Sequence, residues 1–147
     1  MFAYLLKLIS PQSDEQFQQY YHLRWRILRQ PWNQPEGSER DKNDIYCYHI
    51  MAIKNDTIAG IARLEFTTKT RAQLRYMAVD FQYQKQGIGR LVIEHMEYYA
   101  RQNKAHELFL NARENAVGFY KKLGYVITGK SYLLFDSIQH YKMMKKL

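Results

Sequence analysis

The stretch Leu74-Arg75-Tyr76-Met77-Ala78-Val79-Asp80-Phe81-Gln82-Tyr83-Gln84-Lys85-Gln86-Gly87-Ile88-Gly89-Arg90 decides how this chain is read. Gln73 to Val79 reads as a strand. From Gly87 the apolar period lengthens, and Leu91, Val92, His95, Met96 and Tyr99 fall on one helical face running to about Asn103. Between the two lies a basic Gly-x-Gly turn, Gln84 to Arg90. Glycines there let the backbone come close to a ligand, and the amides at a helix start point at an anion. Lys85 and Arg90 add positive charge. The Gly-Lys-Ser/Thr ending of a nucleotide-binding P-loop is missing, as are the third glycine and the following acidic residue of a dinucleotide fingerprint. The plain alternative is a tight turn that binds nothing.

Upstream, Ala3 to Ile9 reads as a strand. Ser13 with Gln16 forms a capping box, and Phe17, Tyr20, Tyr21, Trp25 and Leu28 recur at helical spacing to about Arg29, where Pro31 stops the helix. Gln30 to Asp44 is a long loop, with a short helix expected after Pro35. Ile45–Lys54 and Thr57–Thr67 are strand-like runs joined by an Asn55-Asp56 turn, and Lys69–Arg71 turns the chain into the strand at Gln73. Short turns argue an antiparallel meander. Downstream come a short strand at Leu108–Leu110, a helix over Asn115–Leu123 closed by Gly124, and strands at Tyr125–Phe135 and His140–Met144. The order β-α-(α)-β-β-β-α-β-α-β-β implies an α+β fold.

The length of 147 residues fits a single domain over residues 1–147 with a real core. No apolar run is long enough to span a bilayer, and the apolar start is broken by Lys7, which argues against a signal peptide. One cysteine, Cys47, excludes an internal disulfide and a cysteine-based zinc cluster, so no metal is expected and a cytoplasmic location is the default. The net charge of +8 is uneven. Residues 1–70 hold nine basic and eight acidic side chains, and residues 71–147 hold thirteen and six. The second half should attract an anion, whether nucleic acid, an anionic membrane or a phosphorylated cofactor.

Gln84-x-x-Gly87-x-Gly89 after Leu74–Asp80 resembles the acetyl-coenzyme A signature of the GNAT acyltransferase superfamily. Asn115-Ala116-Val117-Gly118-Phe119-Tyr120-Lys121-Lys122-Leu123-Gly124-Tyr125 is similar to the second family motif, at a separation of about 35 residues that suits the family. Leu23-Arg24 through Gln30, with the acid-containing loop after it and Ile138–Met143 at the end, is similar to the ElaA-like subgroup. The resemblance implies a mostly antiparallel mixed sheet, splayed in the middle, with helices on both faces.

It also implies an acetyl-CoA-dependent N-acetyltransferase. Gln84, Lys85, Gln86, Gly87, Ile88, Gly89 and Arg90 would hold the pyrophosphate, and the pantetheine arm would pair with Met77, Ala78 and Val79. A deprotonated primary amine would attack the thioester directly in a ternary complex. An amide near Ala78 would polarise the carbonyl, and Tyr120 would protonate the departing thiolate. Asn111 and Asn115 are further cofactor candidates, Asn115 having a helix cap as its ordinary role. Some family members carry a glutamate base where this chain has Gln73, which cannot accept a proton at neutral pH. Glu65 is a substitute whose ordinary role is pairing with Arg63 or Arg75, and His140 is the other titrating candidate. Arg24, Trp25, Trp32, Glu36 and Tyr132 fall where the family builds its acceptor pocket, with Arg24 suited to an acceptor carboxylate.

The implied acceptor is a small-molecule or peptide amine, with no nucleic acid and no membrane as partner. Alternatives are an acetyltransferase of protein lysines or N-termini, and a catalytically degenerate CoA-binding protein. Leu133, Leu134 and Phe135 suit a homodimer contact through the last strands.

Overall fold

The first helix begins with a reciprocal cap. In the computed structural model, which describes residues 6–147, Ser13 Oγ accepts from the Gln16 amide at 3.1 Å and Gln16 Oε1 accepts from the Ser13 amide at 3.2 Å. That cap opens α1, Asp14–Leu28, with Asp14 and Glu15 at its positive end. Before it stands β1, Leu6–Ile9, while Ala3–Leu5 of the expected strand lie outside the described residues. After it come β2 (Tyr48–Lys54), β3 (Thr57–Phe66), β4 (Arg71–Val79), α2 (Ile88–Gln102), β5 (Glu107–Arg113), α3 (Val117–Lys122), β6 (Val126–Leu134) and β7 (Ile138–Lys146). The seven strands form one mixed sheet in the order β1-β2-β3-β4-β5-β7-β6.

The expected order of strands and helices holds, with three local corrections. No helix follows Pro35. Two turns replace it, closed by Ser38 N–H to Pro35 O and Arg40 N–H to Gly37 O. Ile45 and Tyr46 are not strand. They lie in a 3-10 turn, Asp44–Tyr46, over 80% exposed, because the Asp44 side chain preceding them is anchored inward. Asn115 does not cap the helix after it, since Ala116 occupies the cap position with no side-chain bond. The Asn55-Asp56 turn takes φ of 52° and 60°, the left-handed pair that a tight hairpin needs.

The described chain falls into two compact units. The first takes in the described residues up to Leu64, together with Tyr76–His95. Its core is Tyr20, Leu23 and Ile27 of α1 against Met51, Ile61 and Ala78, flanked by Phe17, Tyr21, Leu28, Ile53 and Ile58. Those α1 positions recur every three or four residues, so one helix face is apolar. Each large side chain buried there contributes roughly 1.5–3 kcal/mol. β1 and β3 both pair antiparallel with β2.

The second unit takes in Glu65–Arg75 and Met96–Leu147. Here Arg71–Leu74 of β4 run parallel to Glu107–Leu110, and β7 pairs antiparallel with both β5 and β6. Glu97 is buried, accepting from Tyr125 Oη at 2.8 Å and from Lys145 Nζ at 3.0 Å. Gly124, at φ 96°, ends α3 as the sequence predicts.

Candidate active site

β4 carries an irregularity in its middle. Its ladder with β5 covers Arg71–Leu74 and ends there. Two residues later Tyr76 takes φ 53°, a left-handed value inside a strand and costly for a bulky residue. Met77, Ala78 and Val79 follow. Ala78 packs into the core against α1, and Met77 and Val79 are half-buried.

The turn after β4 is built residue by residue. The Asp80 amide donates to Ala59 O at 2.8 Å, and the Asp80 carboxylate accepts from the Gln82 amide and pairs with Arg26. A 3-10 turn, Phe81–Tyr83, carries the chain forward. Gln84 Nε2 reaches back to Val79 O at 3.2 Å. Lys54 donates to Gln86 Oε1. Lys85 and Gly87 take φ of 62° and 81°, so two left-handed residues fold the chain back into α2. A Cβ at Gly87 would meet nothing within 4 Å, so the turn is open on that side. The first helical bond runs from the Leu91 amide to Gly87 O at 3.1 Å. The amides of Ile88, Gly89 and Arg90 therefore have no acceptor within the helix. Gln84, Lys85, Gln86, Gly87 and Arg90 are exposed, with Arg90 turned to Glu94 at 2.8 Å. Open amides at a helix start beside lysine and arginine make a seat for an anionic group.

Gly60 on β3 packs closely against this turn. A Cβ there would stand 3.0 Å from Ile88 Cγ2 and 3.4 Å from Ala78 O. With any larger residue at position 60 the Ile88 side chain would have to give by a few tenths of an ångström.

Behind the strand lies a buried polar cluster. Arg24 and Arg63 are both fully buried. Asp44 Oδ1 accepts from each of them at 3.0 Å, and Asp41 accepts from Arg63 at 2.6 Å. Arg24 also donates to Glu39 O and to Tyr20 Oη. Burial alone would raise the Asp44 carboxyl, but Arg24, the Asp41 amide and Arg63 outweigh it and hold the group below the usual carboxylate value. His49 is pushed down, chiefly by burial. Its Nε2 lies 2.7 Å from Asp44 O and its Nδ1 2.8 Å from Tyr20 Oη. A carbonyl can only accept, so in the neutral ring Nε2 carries the proton and Nδ1 accepts from the tyrosine. Arg24, expected to meet an acceptor carboxylate, is instead committed inside the fold.

A hollow of about 170 Å³ opens between α1 and the loop after it, lined by Gln18, Tyr21, His22, Trp25, Glu36, Gly37, Glu39 and Arg40. The Trp25 indole donates to Gln34 O at 2.9 Å, and the Arg40 guanidinium covers the Tyr21 ring at 4.0 Å. Trp25 and Glu36 were expected in such a pocket. Trp32 does not line it; it is half-buried in the 3-10 turn Gln30–Trp32.

The second unit holds the remaining candidates. Tyr120 is buried on α3, edge-on to Phe119 at 5.2 Å and to Tyr125 at 5.8 Å. No described residue bonds its hydroxyl, and burial pushes the phenol up, so it keeps its proton through the working pH range. Asn111 Oδ1 accepts from Ser131 Oγ at 2.8 Å, while Asn115 is exposed. His140 is buried and stacked on Tyr132 with 4.4 Å between ring centres. Gln73 and Glu65 are half-buried on β4 and β3.

The family model of the acetyltransferase (GNAT) domain matches residues 30–147, which include the turn, α2 and α3. The chain belongs to the GNAT acetyltransferase family. YjcF of Bacillus subtilis, an uncharacterized N-acetyltransferase, is 26% identical over 140 residues, covering 95% of this chain and 99% of its own. The fold of this GNAT protein is that of Escherichia coli ElaA, with TM-score 0.83 and 16% identity over 98% of this chain and 100% of that one. It is also that of a GNAT acetyltransferase from Elizabethkingia anophelis solved with acetyl-CoA bound, with TM-score 0.78 and 15% identity over 97% and 98% of the two chains.

Sequence reasoning located the turn and both motifs. It did not find Gly60, Tyr76 or the Arg24–Asp44–Arg63 cluster. Asp41 and Asp44 in the acid-containing loop were the available signal, but their partners are distant in sequence.

Proposed function

We propose that this chain, acting as a single domain, transfers the acetyl group of acetyl-CoA to a primary amine by direct attack in a ternary complex. The observation that carries the reading is the open, basic turn at Gln84–Arg90, set between the end of β4 and the start of α2 in a GNAT domain. The pyrophosphate is read as accepting from the amides of Gln86–Arg90, with Lys85 and Arg90 beside it. The acetyl-CoA found in the Elizabethkingia protein supports the same cosubstrate here. The pantetheine arm is read as lying along Met77–Val79, an amide near Ala78 facing the developing oxyanion.

The neutral amine nitrogen forms a bond to the thioester carbon, and the C–S bond breaks. The amine loses one proton to a base. The thiolate takes one proton, which we assign to Tyr120. Burial keeps the phenol protonated and so ready to donate, while lowering its acidity below the ordinary match to a thiol of pKa about 8.5. Gln73 cannot act as base, and Glu65, His140 or water remains to take up the amine proton. The acceptor is assigned to the hollow of Trp25, Tyr21 and Glu36, where rings and a carboxylate suit a cationic amine on a small molecule or a peptide.

Among the described residues no helix is long and apolar enough to cross a membrane. A cytoplasmic location is our reading, as is a dimer through the last strands at Leu133, Leu134 and Phe135, of which Leu133 is exposed and the other two are half-buried. Sedimentation at micromolar concentration checks the dimer.

Acetyl-CoA mixed with a panel of small amines and basic peptides should release free thiol with at least one acceptor. Thiol release no faster than without protein, across the whole panel, would count against the reading.

A further inference from the structure

Tyr76 has an unusual backbone for its size. An aromatic residue at φ 53° within a strand persists only where its surroundings hold it there. Those surroundings are specific. The Arg24 guanidinium carbon sits 4.2 Å from the centre of the Tyr76 ring, and that of Arg63 sits 4.9 Å away. Both guanidiniums are fully buried and share Asp44. The Tyr76 hydroxyl donates to Asp41 Oδ2 at 3.3 Å, and Asp41 Oδ1 pairs with Arg63. The ring is thus fixed on its π system and at its hydroxyl by one connected ionic cluster.

The position of the kink gives it a consequence. The ladder of β4 with β5 ends at Leu74, the left-handed residue is Tyr76, and the next three residues are Met77, Ala78 and Val79. A left-handed residue in a strand re-aims the peptide groups that follow it. We infer that Tyr76 is a positioning residue for acyl transfer: its ring, clamped by Arg24 and Arg63 and tied to Asp41, locks the kink that sets the direction of the Met77–Val79 backbone. This rests on the reading that acetyl-CoA lies along that segment.

Tyr76→Gly separates the clamp from the kink. Glycine takes the left-handed conformation without strain but offers no ring, so the kink becomes accessible and unlocked. Tyr76→Phe keeps the ring and loses the bond to Asp41. Two readouts are needed. Amide hydrogen exchange on the full chain should quicken about tenfold or more at Met77–Val79 in Tyr76→Gly, with β2 and the paired part of β3 still protected. With an amine acceptor, kcat should fall about 10–100-fold, the scale of a small misplacement, while the Kd for CoA stays within about threefold. Tyr76→Phe should stay near wild type in both. Wild-type protection together with wild-type kcat in Tyr76→Gly would overturn the proposal. Should that variant not fold, Tyr76→Leu keeps bulk without a π face and faces the same two criteria. If wild-type protein acetylates nothing in the panel, the acetyl-transfer reading fails, and hydrogen exchange still decides the clamp.

Discussion

Gly60 and Ile88 meet where a side chain on the first would collide with the second: a Cβ at Gly60 would lie 3.0 Å from Ile88 Cγ2. The second neighbour, Ala78 O at 3.4 Å, would be in ordinary van der Waals contact. Two elements of the proposed cofactor seat, the end of β4 and the start of α2, therefore pack closely on this one glycine. Gly60→Val should cost about 1–3 kcal/mol, as overpacked cores do, lowering Tm by several degrees. It should weaken CoA binding as well, because Ile88 moves with the amides after it. Calorimetry of CoA binding beside a thermal melt checks both. An unchanged melt with unchanged binding would show that the contact relaxes at no cost.

Tyr120→Phe separates packing from proton donation unusually well. No described residue bonds the hydroxyl, so removing it should leave Tm nearly unchanged. As a general acid it should contribute roughly 10²–10⁴-fold to kcat, with CoA affinity little altered. Single-turnover acetylation is the measurement, since slow product release hides chemical effects. Wild-type turnover in the variant would leave solvent as the proton source.

These two residues mark what was legible in the sequence. Strand alternation, the helical period and the capping box are local patterns, and they gave the element order without knowledge of any partner. Tyr120 and the Gln84–Arg90 turn were legible because both sit in short motifs. Gly60 was not, because nothing around it in Ala59-Gly60-Ile61 differs from an ordinary strand, and its reason lies at Ile88. Leu91 was placed on the buried helix face yet is 41% exposed, while Ile93 is fully buried. The apolar stripe reads almost equally well one residue over, and only packing decides. Ile45 and Tyr46 looked like strand by propensity, but the anchoring of Asp44 by two arginines, 20 and 19 residues away, overrode it.

Acid should destabilise the protein in two steps. His49, packed against Tyr20, Phe17, Tyr21 and the Asp44 carbonyl, has its pKa lowered by burial. The unfolded chain binds that proton more readily, so stability is whole above about pH 6.5 and falls as pH drops toward the folded value. Asp44, facing Arg24, Arg63 and Asp41, is also lowered. Its contribution is whole above about pH 4 and is lost below it. Thermal melts from pH 8 to pH 3 should show both declines. His49→Gln should remove the upper one, and Asp44→Asn the lower one at a large cost in stability, since buried Arg24 loses its charge partner while Arg63 keeps Asp41.

Glu36 is the exposed carboxylate of the hollow. If a cationic acceptor sits there, Glu36→Gln should raise KM for that amine several-fold, since an exposed ion pair is worth up to about 1 kcal/mol. The Kd for CoA should not move. An equal rise in both constants would place the acceptor elsewhere.

The proposed anion seat at the start of α2 is open to one direct trial: titrating CoA into wild-type protein and into Gly87→Glu by calorimetry. The glutamate places a carboxylate where the pyrophosphate is proposed to lie, and forces a side chain onto a backbone at φ 81°. Wild-type protein should bind CoA, and the variant should bind well over tenfold more weakly with its fold intact by circular dichroism, a tenfold loss being about 1.4 kcal/mol. Equal affinity in the two folded proteins would contradict the account.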